Sequence, residues 1–355
     1  MRKVVLGMSG GVDSSVTAYL LKEQGYQVEG ISFILWESRG RTDLSGCCSL
    51  SSTQSAARTA GRLGILHESV DVRDEFIEKV IEPFAEAYAQ GMTPNPCILC
   101  NQHIKFPFLL REAEKRGAAY IATGHYARTC RDAAADGRVL LKKGIDEKKD
   151  QSYVLYVLSG SELKSLILPL GEYRKPAVRE IARGLGLEAA DRPESQEICF
   201  IEDNDYAGFL EKLSPELTVP GPIADTTGRQ IGQHQGIHRY TIGQRKGLGV
   251  PSLVPQYVTR VDAAANTVYI GSRDEAFSRE LSVRQLSWLV PSRSGSFRAE
   301  VKVRSTMQAV PARIEIAGDT GKVIFDEPQW APAPGQSAVF YEAETVLGGG
   351  IIQPQ

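Results

Sequence analysis

The sequence predicts an α/β protein, with an N-terminal doubly wound parallel sheet followed by two smaller, mainly-β domains. Three observations predict it. Strand-like and helix-like segments alternate from Lys3 to Thr123. A turn rich in Gly and Ser joins the first strand to the first helix. Beyond residue 200, Gly, Pro and Thr become frequent and the apolar runs shorten to strands separated by turns.

Taken in order, Lys3–Met8 has a short buried-strand pattern, Ser14–Gln24 is helical, and Gly25 is suited to cap that helix. Val28–Leu35 is again strand-like, Ser52–Leu63 is an Ala-rich helix and His67–Val72 a strand. Asp74–Ala89 carries Phe76, Val80, Phe84 and Tyr88 at i, i+4 spacing, which predicts one amphipathic helix. Ile104–Arg116 is the next helix and Ala119–Thr123 the next strand. Such alternation builds a parallel sheet whose ligands bind at the carboxyl ends of the strands. In the second half, Tyr257–Val261, Thr267–Ile270, Arg298–Val303, Ala312–Ile316, Lys322–Phe325 and Ser337–Tyr341 are spaced like strands of small barrels or sandwiches. The shifts in composition divide the chain at residues 1–204, 205–275 and 276–355, with the second seam near Arg273–Arg279.

A chain of 355 residues, 42% apolar and 24% charged, has room for two or three domains and is neither disordered nor collagen-like. No apolar run reaches membrane-spanning length and the N-terminus lacks a secretory apolar core, so the expectation is a cytoplasmic protein with no membrane partner. A net charge of −2 argues against a protein that coats nucleic acid. Yet no acidic residue falls between Thr226 and Val261, where Arg229, Arg239, Arg245, Lys246 and Arg260 lie. That stripe suits a phosphate backbone, and equally a solvated face neutralised by other segments.

Gly7-Met8-Ser9-Gly10-Gly11-Val12-Asp13-Ser14-Ser15 lies between the first strand and the first helix. It has neither the Lys-Ser/Thr end of a Walker loop nor the spacing of a dinucleotide fingerprint. Gly10 and Gly11 allow close backbone approach, the serines bring hydroxyls, and a helix N-terminus stands behind them. This suits a polyphosphate, with Asp13 placed to hold a magnesium ion on it; the plain alternative is a tight turn with a Ser cap. The loop resembles the PP-loop of the ATP pyrophosphatases, which split ATP into AMP and pyrophosphate and adenylate a substrate oxygen. That resemblance implies the reaction type, with nitrogen or sulfur as the group installed next.

The six cysteines, at 47, 48, 97, 100, 130 and 199, favour metal or redox chemistry over a disulfide framework. Asn95-Pro96-Cys97-Ile-Leu-Cys100-Asn101 places Cys100 just before the helix expected from Ile104, where a helix N-terminus favours the thiolate. Glu194-Ser-Gln-Glu-Ile-Cys199-Phe-Ile201 places a second thiol at the end of the α/β half. Either one alone reads as a buried cysteine. These segments occur with Thr123-Gly-His-Tyr126, Lys149-Asp-Gln-Ser-Tyr153, Gly232-Gln-His-Gln-Gly236, Thr241-Ile-Gly-Gln-Arg-Lys-Gly-Leu-Gly249, Pro334-Gly-Gln-Ser-Ala338 and Leu347-Gly-Gly-Gly-Ile-Ile352. Together they resemble the bacterial tRNA-specific 2-thiouridylase family from end to end.

The resemblance implies ATP on residues 7–14, with Phe33 beside the adenine and Gly124 closing the nucleotide site. It implies three catalytic residues: Asp13, Cys100 and Cys199. The O2 of the wobble uridine, in the anticodon stem-loop of tRNA, would attack the α-phosphate. A cysteine desulfurase or sulfur-relay protein would charge Cys199 as a persulfide. Cys100 would release that sulfur onto C2, leaving a Cys100–Cys199 disulfide to be reduced. Asn95, Pro96 and Cys97 would lie near the target base, and His125, Lys149, Asp150, Gln151, Arg304, Ser305 and Gln336 against the tRNA. Arg245 and Lys246 join them on charge, and the expected form is a monomer. The alternative outside thiolation is an ATP pyrophosphatase amidating a small metabolite, which would need an ammonia source and neither cysteines nor a basic stripe.

One position departs from the family pattern. Where most members carry Asp, this chain has Cys97, making Cys97-x-x-Cys100. With Cys199 it offers three thiolates for a 4Fe–4S cluster with one open iron, or a zinc site completed by His103, Cys47 or Cys48. Persulfide and cluster routes both need Cys100 and Cys199, and only the cluster needs Cys97. Cys47, Cys48 and Cys130 suggest no further role.

Overall fold

The structure is a computed structural model and describes residues 2–36, 50–132, 137–191, 198–201 and 204–354. Cys47, Cys48 and Glu194–Glu197 lie outside the described residues. The chain divides into two compact units. The first comprises Met1–Val80, Cys97–Asn204 and Glu344–Val346; the second comprises Ile81–Pro96, Asp205–Ala343 and Leu347–Gln355.

The chain opens as β1 (Lys3–Gly7), α1 (Val12–Glu23), β2 (Gln27–Ile34), α2 (Leu50–Leu63), β3 (Leu66–Asp71) and α3 (Arg73–Phe76). α4 (Glu82–Ala89), α5 (Pro96–Cys100) and α6 (Phe106–Lys115) follow, then β4 (Tyr120–Ala122). The helix expected over Asp74–Ala89 is broken by a π-turn at Ile77–Ile81, and a second π-turn spans Asn101–Lys105. Each lies immediately before a helix with proline in its first turn, Pro83 or Pro107. Proline has no N–H for the i−4 carbonyl and its ring crowds it, so the turn widens there. The helix expected from Ile104 therefore belongs to a helical run that starts at Pro96.

β5 (Ala127–Arg131) and β6 (Val139–Lys143) form an antiparallel hairpin, missed in the sequence. Beyond it come α7 (Gly160–Ser165), β7 (Leu166–Ile167) and α8 (Lys175–Gly184). The first sheet is parallel, with order β3-β2-β1-β4-β7. Val4, Val5 and Leu6 of β1 are fully buried because neighbouring segments cover both faces of this central strand. Val4, Leu6 and Met8 pack with Ala18 and Leu21 of α1 and Ala56 and Ala60 of α2. Val12, Val16 and Leu20 of α1 pack with Val178 and Ala182 of α8. The strand order reverses between β1 and β4, so the crevice for a ligand opens where those two strands end.

In the second unit, Tyr88 of α4 stacks on Tyr206 of α9 (Tyr206–Leu213), with ring centroids 5.1 Å apart. β8 (Gly221–Ala224), β9 (Gln230–His234), β10 (Tyr257–Asp262) and β11 (Thr267–Gly271) form a sheet in the order β10-β11-β8-β9. Its core holds Ile223, Ile237, Tyr240, Val258, Val268 and Ile270. Six further strands follow: β12 (Phe277–Trp288), β13 (Gly295–Lys302), β14 (Val310–Ala317), β15 (Thr320–Trp330), β16 (Ser337–Glu342) and β17 (Thr345–Ile352). β12 pairs with both β15 and β17, which closes a barrel. The strand pattern predicted neither β12 nor β17. Gly348 and Gly350 explain the second: a Cβ at Gly350 would stand 2.9 Å from the Arg284 carbonyl oxygen, and one at Gly348 would overlap that of Ser287.

Candidate active site

β1 delivers Gly7 and Met8 to the crevice. The Met8 amide donates to the Ile31 carbonyl at 2.7 Å, and the Ser32 hydroxyl donates to the Met8 carbonyl at 2.7 Å. Gly10 has φ +75°, and a Cβ there would overlap the carbonyl oxygen of Ser52, so only glycine fits. Ser14 and Ser15 donate their hydroxyls to the Gly11 carbonyl at 3.2 and 2.8 Å, and the Ser9 amide donates to the Ser14 hydroxyl at 3.3 Å. Gly11 heads α1 with no side chain to cap it, leaving the first N–H groups of the helix directed at an anion.

Asp13 is the acidic residue of the first turn of α1. The Lys175 ammonium donates to both of its carboxylate oxygens at 2.8 Å, and the Tyr126 hydroxyl donates to one at 2.7 Å. Lys175 is 8% exposed, and nothing in the sequence pointed to it. Magnesium takes one or two carboxylates together with phosphate oxygens, and a charged carboxylate at the head of α1 fits that donor set. Gly124, beyond β4, touches the same turn: a Cβ there would stand 3.0 Å from the Asp13 carbonyl carbon and the Ser14 nitrogen. Phe33 packs edge-on against Phe108, with centroids 6.2 Å apart.

The thiols are arranged differently from the expectation. Cys100 ends α5, whose first turn holds Cys97, so the exposed Cys97 sits nearer the helix N-terminus than the buried Cys100. The field of a helix terminus fades within its first turn, which weakens the argument for Cys100 as the dipole-activated thiol. Cys199 is half-buried, and its neighbour Phe200 packs on Phe76 of α3 at 5.6 Å. Among the described residues no three His, Cys, Asp or Glu side chains form a group fit to hold a metal. Cys47 and Cys48, two of the further ligands considered beside Cys97, Cys100, Cys199 and His103, lie outside the described residues.

Several residues expected against tRNA are engaged within the fold. Asp150 accepts from the Gly144 and Ser152 amides and the Ser152 hydroxyl. Gln151 pairs with the Tyr126 backbone through its own amide at 2.8 Å and its side-chain oxygen at 3.0 Å. His125 lies 2.7 Å from the Thr123 hydroxyl and stacks on Phe106; burial, helped by the Lys105 charge, holds its imidazole well below the ordinary value. Arg304 donates to the carbonyls of Ile242 at 3.0 Å and Ala331 at 2.7 Å, while Ser305 is exposed. Gln336 donates to the Thr93 carbonyl at 2.8 Å, close in sequence to Asn95 and the buried Pro96. In the acid-free stripe, Arg229 pairs with Asp225, Arg239 with Glu211 and Arg260 with Asp262. Among the described residues Arg245 and Lys246 meet no carboxylate.

Three family models match in succession: a tRNA methyl transferase HUP domain over residues 2–203, a tRNA methyl transferase PRC-barrel domain over 207–272, and an aminomethyltransferase beta-barrel domain over 278–352. The tRNA-specific 2-thiouridylase MnmA of Clostridioides difficile (strain 630) is 44% identical over 355 residues, covering 99% of this chain and 98% of that protein. The enzyme of the same name from Carboxydothermus hydrogenoformans is 48% identical over 360 residues, with the same coverage. With a phosphate loop at the head of α1, two thiol-bearing segments in the same unit, and likeness along its whole length, the chain belongs to the tRNA-specific 2-thiouridylase family.

Proposed function

We propose that this chain converts the wobble uridine of tRNA to 2-thiouridine, using ATP to activate the base and a cysteine persulfide to supply the sulfur. The observation that carries the reading is the phosphate loop closed by Gly10 and anchored through Asp13 and Lys175, in a chain whose full-length relatives are named 2-thiouridylases. The matching family models bear the words methyl transferase, but methyl transfer needs no loop built to take a polyphosphate, whereas replacing a carbonyl oxygen by sulfur does.

Uridine O2 is a poor leaving group. In the first step it attacks the α-phosphate of ATP, pyrophosphate departs, and C2 carries a good leaving group, AMP. Asp13 would hold magnesium, which lowers the cost of charge on the departing pyrophosphate. Lys175 places a second cation at the same turn. The terminal sulfur of a Cys199 persulfide, charged by a desulfurase or relay protein, then attacks C2 and AMP leaves. The Cys100 thiolate attacks the Cys199 sulfur of the resulting C2–S–S linkage. The S–S bond breaks, C2 keeps one sulfur as the thiocarbonyl, and a Cys100–Cys199 disulfide remains for a two-electron thiol reductant. A cluster route would need Cys97 as a third thiolate, which this persulfide route does not.

The test separates the two halves of the reaction. Pyrophosphate release by the purified chain should require unmodified tRNA. Asp13→Asn and Lys175→Met should each slow it by about 100-fold or more, as losing a charge-stabilising group does. Cys100→Ser should keep pyrophosphate release and yield no 2-thiouridine in nucleoside analysis of the tRNA. Release without tRNA, or normal thiolation by Cys100→Ser, would overturn the reading.

A further inference from the structure

We infer that Ser32 and His67 are positioning residues for the nucleotide: they fix Met8, where the central strand runs into the phosphate loop. The inference rests on ATP being the ligand of that loop. In a parallel sheet, register partners share a face, and so do residues two apart on one strand. Leu6 of β1 pairs with Gly30 of β2, and Gly30 pairs with His67 of β3. Met8, Gly30, Ser32 and His67 therefore gather on one face of the sheet, where β1 ends.

Met8 and Ser32 are both buried, and the single hydroxyl proton of Ser32 goes to the Met8 carbonyl. The other contact of that hydroxyl is His67 Nε2 at 2.8 Å, so there the imidazole must donate. Burial holds the His67 ring below its ordinary value, against the pull of the Glu68 charge, and above about pH 7 the ring is neutral. Its one proton then sits on Nε2. The same two residues meet again over Gly30, where a Cβ would stand 2.5 Å from the Met8 sulfur and 3.2 Å from His67 Cδ2. Met8 is thus held at its amide by Ile31, at its carbonyl by Ser32 backed by His67, and along its side chain. It directly precedes Ser9, Gly10 and Gly11, so its position sets where the anion cradle begins. A cradle ordered in advance takes a polyphosphate without the entropy cost of ordering, which puts the effect of the pair on nucleotide affinity. Neither side chain belongs to the loop itself, so the rate at saturation is left alone.

The experiment titrates magnesium-ATP into the full-length chain by calorimetry, without tRNA, for the wild type, Ser32→Ala, His67→Leu and His67→Gln. Ser32→Ala leaves a buried carbonyl without its donor and should weaken ATP binding about ten-fold or more; His67→Leu should weaken it about three- to ten-fold. His67→Gln, whose amide can donate from nearly the same place, should recover most of that loss. In pyrophosphate release with tRNA, His67→Leu should raise KM for ATP by the factor seen in binding and leave kcat within about two-fold. Nitrogen NMR of the five isotope-labelled histidines gives a second readout. The signal that His67→Gln removes should belong, at about pH 8, to a ring protonated on Nε2 alone. A proton on Nδ1 instead, or wild-type ATP affinity in His67→Leu, would overturn the inference and leave the loop assignment standing. A wild-type chain that binds no ATP would overturn both.

Discussion

Two glycine-rich loops of this molecule are held in opposite ways. In the phosphate loop, Gly10 is pressed against the Ser52 carbonyl and Gly124 against the backbone of Asp13 and Ser14. In the loop from Thr241 to Gly249, Gly243, Gly247 and Gly249 also have positive φ; a Cβ on Gly243 would overlap that of Ala331, but past it Gly249 meets nothing within 4 Å and Gly247 nothing nearer than 3.9 Å. That second loop is braced by side chains. Gln244 accepts from the Thr241 amide and donates to the Lys246 carbonyl, both at 3.0 Å, and Arg304 grips the Ile242 carbonyl. The first loop is specified by what stands against it, the second, beyond Gly243, by turn geometry and a few struts. Glycines of equal prominence in a sequence therefore differ in what they can tolerate.

Three measurements would break or sharpen that contrast. The largest effect belongs to Gly10→Ala, which combines backbone strain of about 1–3 kcal/mol with overlap on a fixed carbonyl. It should abolish detectable ATP binding in calorimetry, whereas Gly249→Ala should cost only about 1–2 kcal/mol in denaturant titration and leave ATP affinity alone. Equal responses would erase the distinction between the loops.

Arg304→Ala comes next. Removing a charged donor from two carbonyls should cost about 2 kcal/mol and lower the melting temperature by several degrees. If stability holds while tRNA affinity falls, Arg304 is a direct contact and not a strut.

The smallest effect is a pH slope. The His125 imidazole titrates below its unfolded value, so under about pH 6.5 the unfolded chain binds a proton that the folded chain does not. Stability should therefore fall as pH drops from about 7 toward 5, by up to roughly 1.4 kcal/mol per unit for this one group. His125→Gln should flatten the slope in paired urea titrations; an unchanged slope would assign it elsewhere.

The legible parts of this molecule were those encoded locally. The parallel sheet follows from strand–helix alternation, and the phosphate loop from a run of glycines and serines whose spacing matters only to itself. Lys175 was not legible, because its partner lies 162 residues away and no periodic pattern marks an ammonium that will be buried. Cys100 was misplaced because the helix was expected from Ile104, whereas the helical run starts at Pro96 and passes Pro107 by widening a turn. Asp150 and Gln151 stand in a motif of polar residues that reads as a surface contact, yet their side chains are the bracing of a loop. A polar residue's letters do not say whether its hydrogen bonds point inward or outward.

The barrel closes on β17, the last strand of the chain. A ribosome makes this protein from the other end, so the edge of β12 that β17 will cover must wait unpaired until β17 has emerged. The same delay reaches back to Thr93. The Thr93 amide is held by the Pro334 carbonyl at 2.7 Å, and the Thr93 carbonyl by Gln336. The parallel sheet draws its strands from the first half of the sequence and can form early. The Thr93 carbonyl, by contrast, waits for a partner made 243 residues later.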